Sequence, residues 1–424
     1  MLKKYLYIVA CIAPIVIGYS QEQVISLTRE ELEAKFLEQN LDLLAQRLEI
    51  SQAEAQLIQA RLWPNPTFEI SEVNLWKTTD IEEQPIIFKN WGEAQQISLH
   101  LEQEIQTAGK RRKNIALQKL TIEEKEKEFE SILREAKLEL RKNISQLQLL
   151  QKQLNIYNQQ IDKTKSLNKA YATQLNHGNI SQAEYMRLKA AELQLKKEYF
   201  ELKKDYEETL KELKNFISIS ENLTIQISEE LSLPIKEVSE MQLQDWVIDA
   251  MELRPDVLLS RNLEKQSVQR LEIEKAERVP DFTVAIDYDR GGNIMRDFVG
   301  LGLSFDLPIF NRNKGGIKEA KLEIEKTKLE TQSKVNEITN EIIEAFRNYN
   351  NALSLYQEID KDYEVQLDKI IEAYFRNFEK RNVSLIEYLD FVEAYLDNKN
   401  LILETKKDVI DYFEVLQYAI GKEL

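Results

Sequence analysis

Two long stretches of this chain contain neither glycine nor proline, and they limit its possible folds more than any other feature. One is the 68 residues between Gly109 and Gly178; the other runs from Ile317 to Ile420. Glycine and proline are the residues that weaken a helix interior most, so both stretches predict very long helices. Sixty-eight continuously helical residues would extend on the order of 100 Å at ~1.5 Å per residue, too far for a compact domain. Leu138, Ile144, Leu147, Leu154, Ile161 and Leu167 form apolar stripes that need partner helices to cover them. With 31% charged residues and only 11 Gly and 8 Pro in 424 residues, the composition fits a few long helices better than several globular domains.

The long helices belong to a tandem duplication. Asn40-Leu41-Asp42 is matched by Arg254-Pro255-Asp256, and Pro66 by Pro280, at one constant offset. Tyr171, Asn179, Ser181, Glu184 and Tyr185 match Tyr374, Asn382, Ser384, Glu387 and Tyr388 at another. Gly178 breaks the first long helix, and Ser181 with Glu184 makes an S-x-x-E capping box that starts the next. Arg381, Asn382 and Ser384 with Glu387 repeat that turn, so both halves reverse at the same place.

The expected organisation is a signal peptide at 1–20 and a first repeat at 21–220, with helices 28–62, 108–177 and 181–219 and a β-hairpin at 67–104. A linking element at 221–244 follows, in which Leu223, Ile225 and Ile227 alternate as a short strand. The second repeat, 245–424, has helices 245–278, 314–379 and 384–420 and a hairpin at 281–307.

Both hairpins alternate in polarity. Ile97, Leu99 and Leu101 oppose Ser98, His100 and Glu102; Val299, Leu301, Leu303 and Phe305 oppose Gly300, Gly302 and Ser304. An apolar outer face over a polar inner face fits a transmembrane barrel. Four strands cannot close one, and each unpaired backbone group in hydrocarbon costs roughly several kcal/mol, so several chains would have to share it. A half-buried sheet packed on helices, as in a secreted coiled-coil scaffold or adhesin, is the alternative. Trp76, Phe88, Trp91, Tyr288 and Phe298 flank the strands where an interfacial aromatic girdle would lie.

The N-terminus reads as an address. Lys3 and Lys4 precede an apolar run from Tyr5 to Ile17, and Gly18 and Ser20 suit a cut before Gln21. The net charge of −16 becomes −18 once those two lysines are removed, the wrong sign for a nucleic-acid partner. Cys11 lies in the signal, so the mature chain would hold no disulfide or thiolate metal site. His100 and His177 are the only histidines and read as a wet strand residue and a helix C-terminal residue, giving no metal cluster. No P-loop, dinucleotide fingerprint, nucleophile elbow or H-E-x-x-H is present, so no catalytic residue and no cofactor is assigned.

Several motifs, by their order and spacing, resemble the TolC-like outer-membrane efflux protein family over about residues 28 to 421. They are Leu253-Arg254-Pro255-Asp256-Val257, the strand openings Asn65-Pro66 and Pro280-Asp281-Phe282, Gly109-Lys110-Arg111, and Leu307-Pro308-Ile309-Phe310-Asn311-Arg312-Asn313. The resemblance implies a mainly α fold with a transmembrane β-barrel. It implies a homotrimer whose four strands per chain share a twelve-stranded barrel above a long periplasmic α-helical barrel. Set in outer-membrane lipid of a Gram-negative bacterium, such a protein is an exit duct of a tripartite system. Substrates, heavy-metal cations or drugs, would arrive from an inner-membrane pump of the resistance-nodulation-division (RND) type through a periplasmic adaptor. The strand exits are most similar to the cation-efflux, CzcC/CusC-like branch. A type I protein secretion duct would use the same architecture.

The resemblance also marks site residues. Glu387 and Asp390 resemble an acidic pair lining the closed tunnel tip, a periplasmic gate. In the first repeat Glu184 matches Glu387, but Arg187 stands opposite Asp390 and could pair with the acids. The turns holding Gly178, Asn179 and Ser181, and Arg381, Asn382 and Ser384, are the expected adaptor contacts. Capping and helix-turn chemistry account for the same residues without any gate or partner.

Overall fold

The structure is a computed structural model that describes residues 23–73, 97–219, 222–229, 231, 233, 238–290, 297–360 and 362–424. The expected signal peptide with Cys11, and the aromatics Trp76, Phe88 and Trp91, lie outside the described residues. The elements are β1 (Gln23–Leu27), α1 (Arg29–Gln39), α2 (Leu41–Arg61), β2 (Thr67–Ser71), β3 (Ile97–Ile105), α3 (Lys110–Asn176), α4 (Gln182–Phe216) and β4 (Leu223–Ile227). They continue with α5 (Leu243–Leu253), α6 (Pro255–Ala276), β5 (Phe282–Arg290), β6 (Phe298–Phe305), α7 (Lys314–Glu358), α8 (Tyr363–Glu379) and α9 (Leu385–Ile420). No helix among the described residues is long and apolar enough to cross a membrane.

The chain divides into two compact units, and each draws on both sequence repeats. One holds residues 41–138, 235–353 and 412–424, including a four-stranded antiparallel sheet in the order β2-β3-β5-β6. Its register lines up residues of like character. Phe68, Leu101, Ile286 and Leu301 form one row across the sheet, and Ile70, Leu99, Tyr288 and Val299 the next. On the opposite face the rows are Glu69, His100, Asp287 and Gly300, and Thr67, Glu102, Ala285 and Gly302. Phe298 falls on this polar face, where its ring covers Gly300 so closely that an added Cβ would sit 2.8 Å from it. It therefore takes no place in an outer aromatic girdle. The outer edges of β2 and β6 have no strand partner among the described residues.

The ends of the strands are braced to the helices. Asp281, just before β5, accepts from the Thr107 N–H at 2.6 Å and from Lys110 Nζ at 2.8 Å, while the Thr107 hydroxyl donates to the Pro280 carbonyl at 2.8 Å. Burial pushes the Asp281 carboxyl up, but Lys110 and Thr107 outweigh it and hold the group below the ordinary aspartate range. Below the sheet, Trp246 meets Phe346 and Tyr349 meets Phe413, which ties α5 and the end of α9 to α7.

The described residues of the other unit fall within 23–40, 139–233 and 354–411. Here β1 pairs in parallel with β4 from Gln23↔Leu223 to Leu27↔Ile227, burying Leu27, Leu223, Ile225 and Ile227. Phe36 packs edge-on against Phe216 with ring centroids 5.9 Å apart. The main core joins α3, α4, α8 and α9 through Tyr157, Ile161, Leu188, Leu195, Ile371 and Tyr388.

Three helices read from the sequence as continuous are interrupted. The expected helix 28–62 breaks at Asn40, whose backbone turns extended (φ −64°, ψ 115°) while its buried amide donates to the Phe216 carbonyl at 2.9 Å. The expected helix 245–278 breaks at Arg254 for a different reason: Pro255 bars the helical conformation of the residue before it and opens α6 at its first position. These two breaks are the duplicated positions of Asn40-Leu41-Asp42 and Arg254-Pro255-Asp256. The expected helix 314–379 stops at Glu358 and resumes at Tyr363. The linking element also differs from expectation, because β4 takes its partner from the very start of the described chain.

Candidate functional site

The residues marked for the gate and the turns all lie in the unit that holds 139–234 and 354–411, around the two helix reversals. Both reversals end their first helix in the same way. Gly178 N–H donates to the Leu175 carbonyl at 2.9 Å and Asn179 N–H to that of Gln174 at 3.0 Å; Arg381 donates to Phe378 and Asn382 to Asn377, each at 2.9 Å. This paired pattern needs a left-handed residue after the helix. Gly178 supplies it at φ +71°, and Arg381 adopts the same region at φ 62°. The side chains repeat as well, with Asn179 donating to Gln174 at 2.7 Å and Asn382 to Asn377 at 3.4 Å. Arg381 then reaches across to Gln174 at 3.3 Å, so the two turns lie side by side.

Each following helix starts with a capping box. Ser181 and Glu184 exchange bonds, the Ser181 N–H reaching Glu184 Oε2 at 3.0 Å and the Glu184 N–H reaching Ser181 Oγ at 3.1 Å. Ser384 and Glu387 do the same at 2.9 and 3.3 Å. The Ser384 hydroxyl and N–H hold the exposed Glu387 carboxyl below the usual glutamate range. Beneath the turns Tyr171, Phe378 and Tyr388 stack in sequence, with centroids 5.8 and 4.7 Å apart. Tyr388 is fully buried, accepts from Gln160 at 3.2 Å, and burial pushes its hydroxyl up to about 12.

Arg187 and Asp390 come together as walls of one groove of about 560 Å3 between α4 and α9. No ion pair joins them among the described residues. Glu184 and Glu387 stay outside this groove, occupied by their caps. Three carboxylates that the sequence reading missed line it too: Glu198 on α4, and Glu393 and Asp397 on α9. Their signal was available, since Ile386, Asp390, Glu393 and Asp397 recur at helical spacing on one face. The groove sets one arginine against four carboxylates and so favours cations electrostatically. His177 sits at the end of α3, donating its N–H to the Thr173 carbonyl at 3.2 Å, and His100 lies on the sheet 2.6 Å from Asp287. Among the described residues no group of His, Cys, Asp and Glu is placed to hold a metal ion.

The four-stranded sheet with open edges, and separately the helix pairs that reverse in matched capped turns, belong to a fold seen in solved outer-membrane channels. The comparisons agree. The Campylobacter jejuni CmeC outer membrane channel superposes with a TM-score of 0.73 at 19% identity, covering 96% of this chain and 90% of that one. CusC gives 0.73 at 14% identity over 95% and 94%, and the Neisseria gonorrhoeae MtrE channel in its open state 0.70 at 14% over 93% and 88%. No curated protein matches the sequence. Residues 33–217 match the outer membrane efflux protein family. The family match thus covers fewer than half of the residues, and the likeness to the solved channels, which extends over nearly the whole chain, is one of fold.

Proposed function

We propose that this chain is the exit duct of a tripartite efflux system, a homotrimer that passively conducts what an inner-membrane RND-type pump delivers through a periplasmic adaptor. The observation that carries this reading is the sheet: one apolar face, one polar face, and two edge strands left for other copies to pair. Three chains would give twelve strands, closing both edges of each sheet and removing the unpaired backbone groups that hydrocarbon forbids.

The two turns are the proposed adaptor contacts, through Gly178, Asn179 and Ser181 and through Arg381, Asn382 and Ser384. They are exposed, adjacent and fixed in shape by duplicated bonds. Asp390 and Glu387 are the proposed gate acids, with Arg187 the counter-charge that shares Asp390's groove. Repeated about a threefold axis, the acids would form a ring that attracts cations. Changing Glu387 and Asp390 together to Ala should raise single-channel conductance in a planar bilayer and lower cation-over-anion selectivity. Unaltered currents from a correctly assembled trimer would remove the gate role and leave both acids as cap and solvated surface.

A further inference from the structure

We propose that a basic pocket just below β6 binds the phosphate of an anionic glycerophospholipid in the periplasmic leaflet of the outer membrane, an inference that rests on the barrel reading above. Lys275, Arg278, Val279, Pro308 and Arg312 line a pocket of about 400 Å3, with three cations and no carboxylate on its wall. Lys275 is tied to Glu272 at 2.6 Å. Arg312 uses only its Nε, donating to the Pro308 carbonyl at 3.2 Å, and Arg278 has no hydrogen bond or ion pair among the described residues. The planar forks of both arginines are therefore free to donate, the geometry that suits a phosphodiester.

What distinguishes a lipid from a soluble anion is the surface that leads to this pocket. Val299, Leu301, Leu303, Phe305, Leu307 and Ile309 are all exposed, at every second position, from the apolar face of β6 down to the residue beside Pro308. Phe310 follows, 99% exposed. Apolar area of this kind is stabilised by hydrocarbon, not water. The stripe ends where the cations begin, which is the order a phospholipid presents from acyl chain to headgroup. A neighbouring copy pairing with β6 covers the strand edge, whereas the stripe lies on the sheet face.

The test uses the full-length protein, extracted from outer membranes in mild detergent and reconstituted with equal phosphatidylglycerol and phosphatidylethanolamine. Native mass spectrometry then counts the lipid retained on the assembled complex. The wild type should retain the anionic lipid over the zwitterionic one by roughly 25-fold, the product of two arginines each worth about a factor of five. Arg278→Gln with Arg312→Gln should bring that ratio near one without changing the complex mass. Arg278→Lys with Arg312→Lys should keep most of it, and inorganic phosphate should not displace the lipid. A wild type without preference, a Gln variant that keeps it, or displacement by phosphate alone would overturn the proposal. A complex of the wrong mass would instead overturn the barrel reading, and this site with it.

Discussion

Replacing Arg254 with Ala should cost the folded chain about 2–4 kcal/mol. The guanidinium is 3% exposed and donates to Asp256 Oδ2 at 2.7 Å, Glu341 Oε2 at 2.9 Å and the Ala419 carbonyl at 2.8 Å. It thus ties the α5–α6 break to α7 and to the end of α9. Removing one partner of a fully buried pair costs about 3–5 kcal/mol, because the other charge is left without compensation. Asp256 and Glu341 are 22% and 34% exposed, so water recovers part of that loss. The assay is denaturant unfolding in detergent, followed by the fluorescence of Trp246, which packs on Phe346 in the same unit. The pH dependence has a definite sign. Burial pushes the Asp256 carboxyl up, but Arg254 outweighs it, so the folded pKa lies below the ordinary aspartate value. The stabilisation is then complete above that value and lost as pH falls through the folded pKa. The difference between wild type and variant should hold from neutral pH down to about 5 and shrink only below about 4. A loss under about 0.5 kcal/mol at neutral pH, the size of an ordinary surface substitution, would refute the argument.

Other consequences concern the turns. Gly178→Ala should destabilise by about 1 kcal/mol through its left-handed backbone alone, since nothing lies within 4 Å of the added Cβ; no change in the unfolding midpoint would contradict this. Arg381→Gly should relieve the same strain and so stabilise its own turn, less whatever the bond to Gln174 contributed. Because Glu387 is held below the ordinary glutamate value, its cap should persist throughout the usual glutamate range and weaken as pH falls through the folded pKa. Amide exchange at 385–388 across that range checks it. Cysteines placed at Asn179 and Asn382 should cross-link to a co-expressed periplasmic adaptor, and the absence of any cross-link would count against docking at the turns.

The parts of this fold written in local chemistry were legible in the sequence. The alternation of Val299 to Phe305, the Ser181–Glu184 and Ser384–Glu387 boxes and the glycine-free run before Gly178 each name their element without reference to the rest of the chain. The interruptions were less so, although Pro255 was a sufficient signal for one of them. At Asn40 the break is held by a carbonyl 176 residues away, and nothing near Asn40 announces it. The pairing of β1 with β4 is hidden for the same reason, being parallel and joining segments about 200 residues apart. At the site, matching the repeats found Arg187 and Asp390 but passed over Glu393 and Asp397, which have no charged counterparts in the first repeat and declare themselves only by sharing a helix face.

The central claim is that four strands per chain are completed by other copies in the outer membrane. Its most direct test is the protein mass of the complex extracted from that membrane in mild detergent, before and after heating. The account predicts a heat-sensitive species of three chains, each of 49.8 kDa less any cleaved signal. A monomer or dimer recovered from the soluble periplasm would contradict it and leave the sheet as the half-buried face of a helical scaffold.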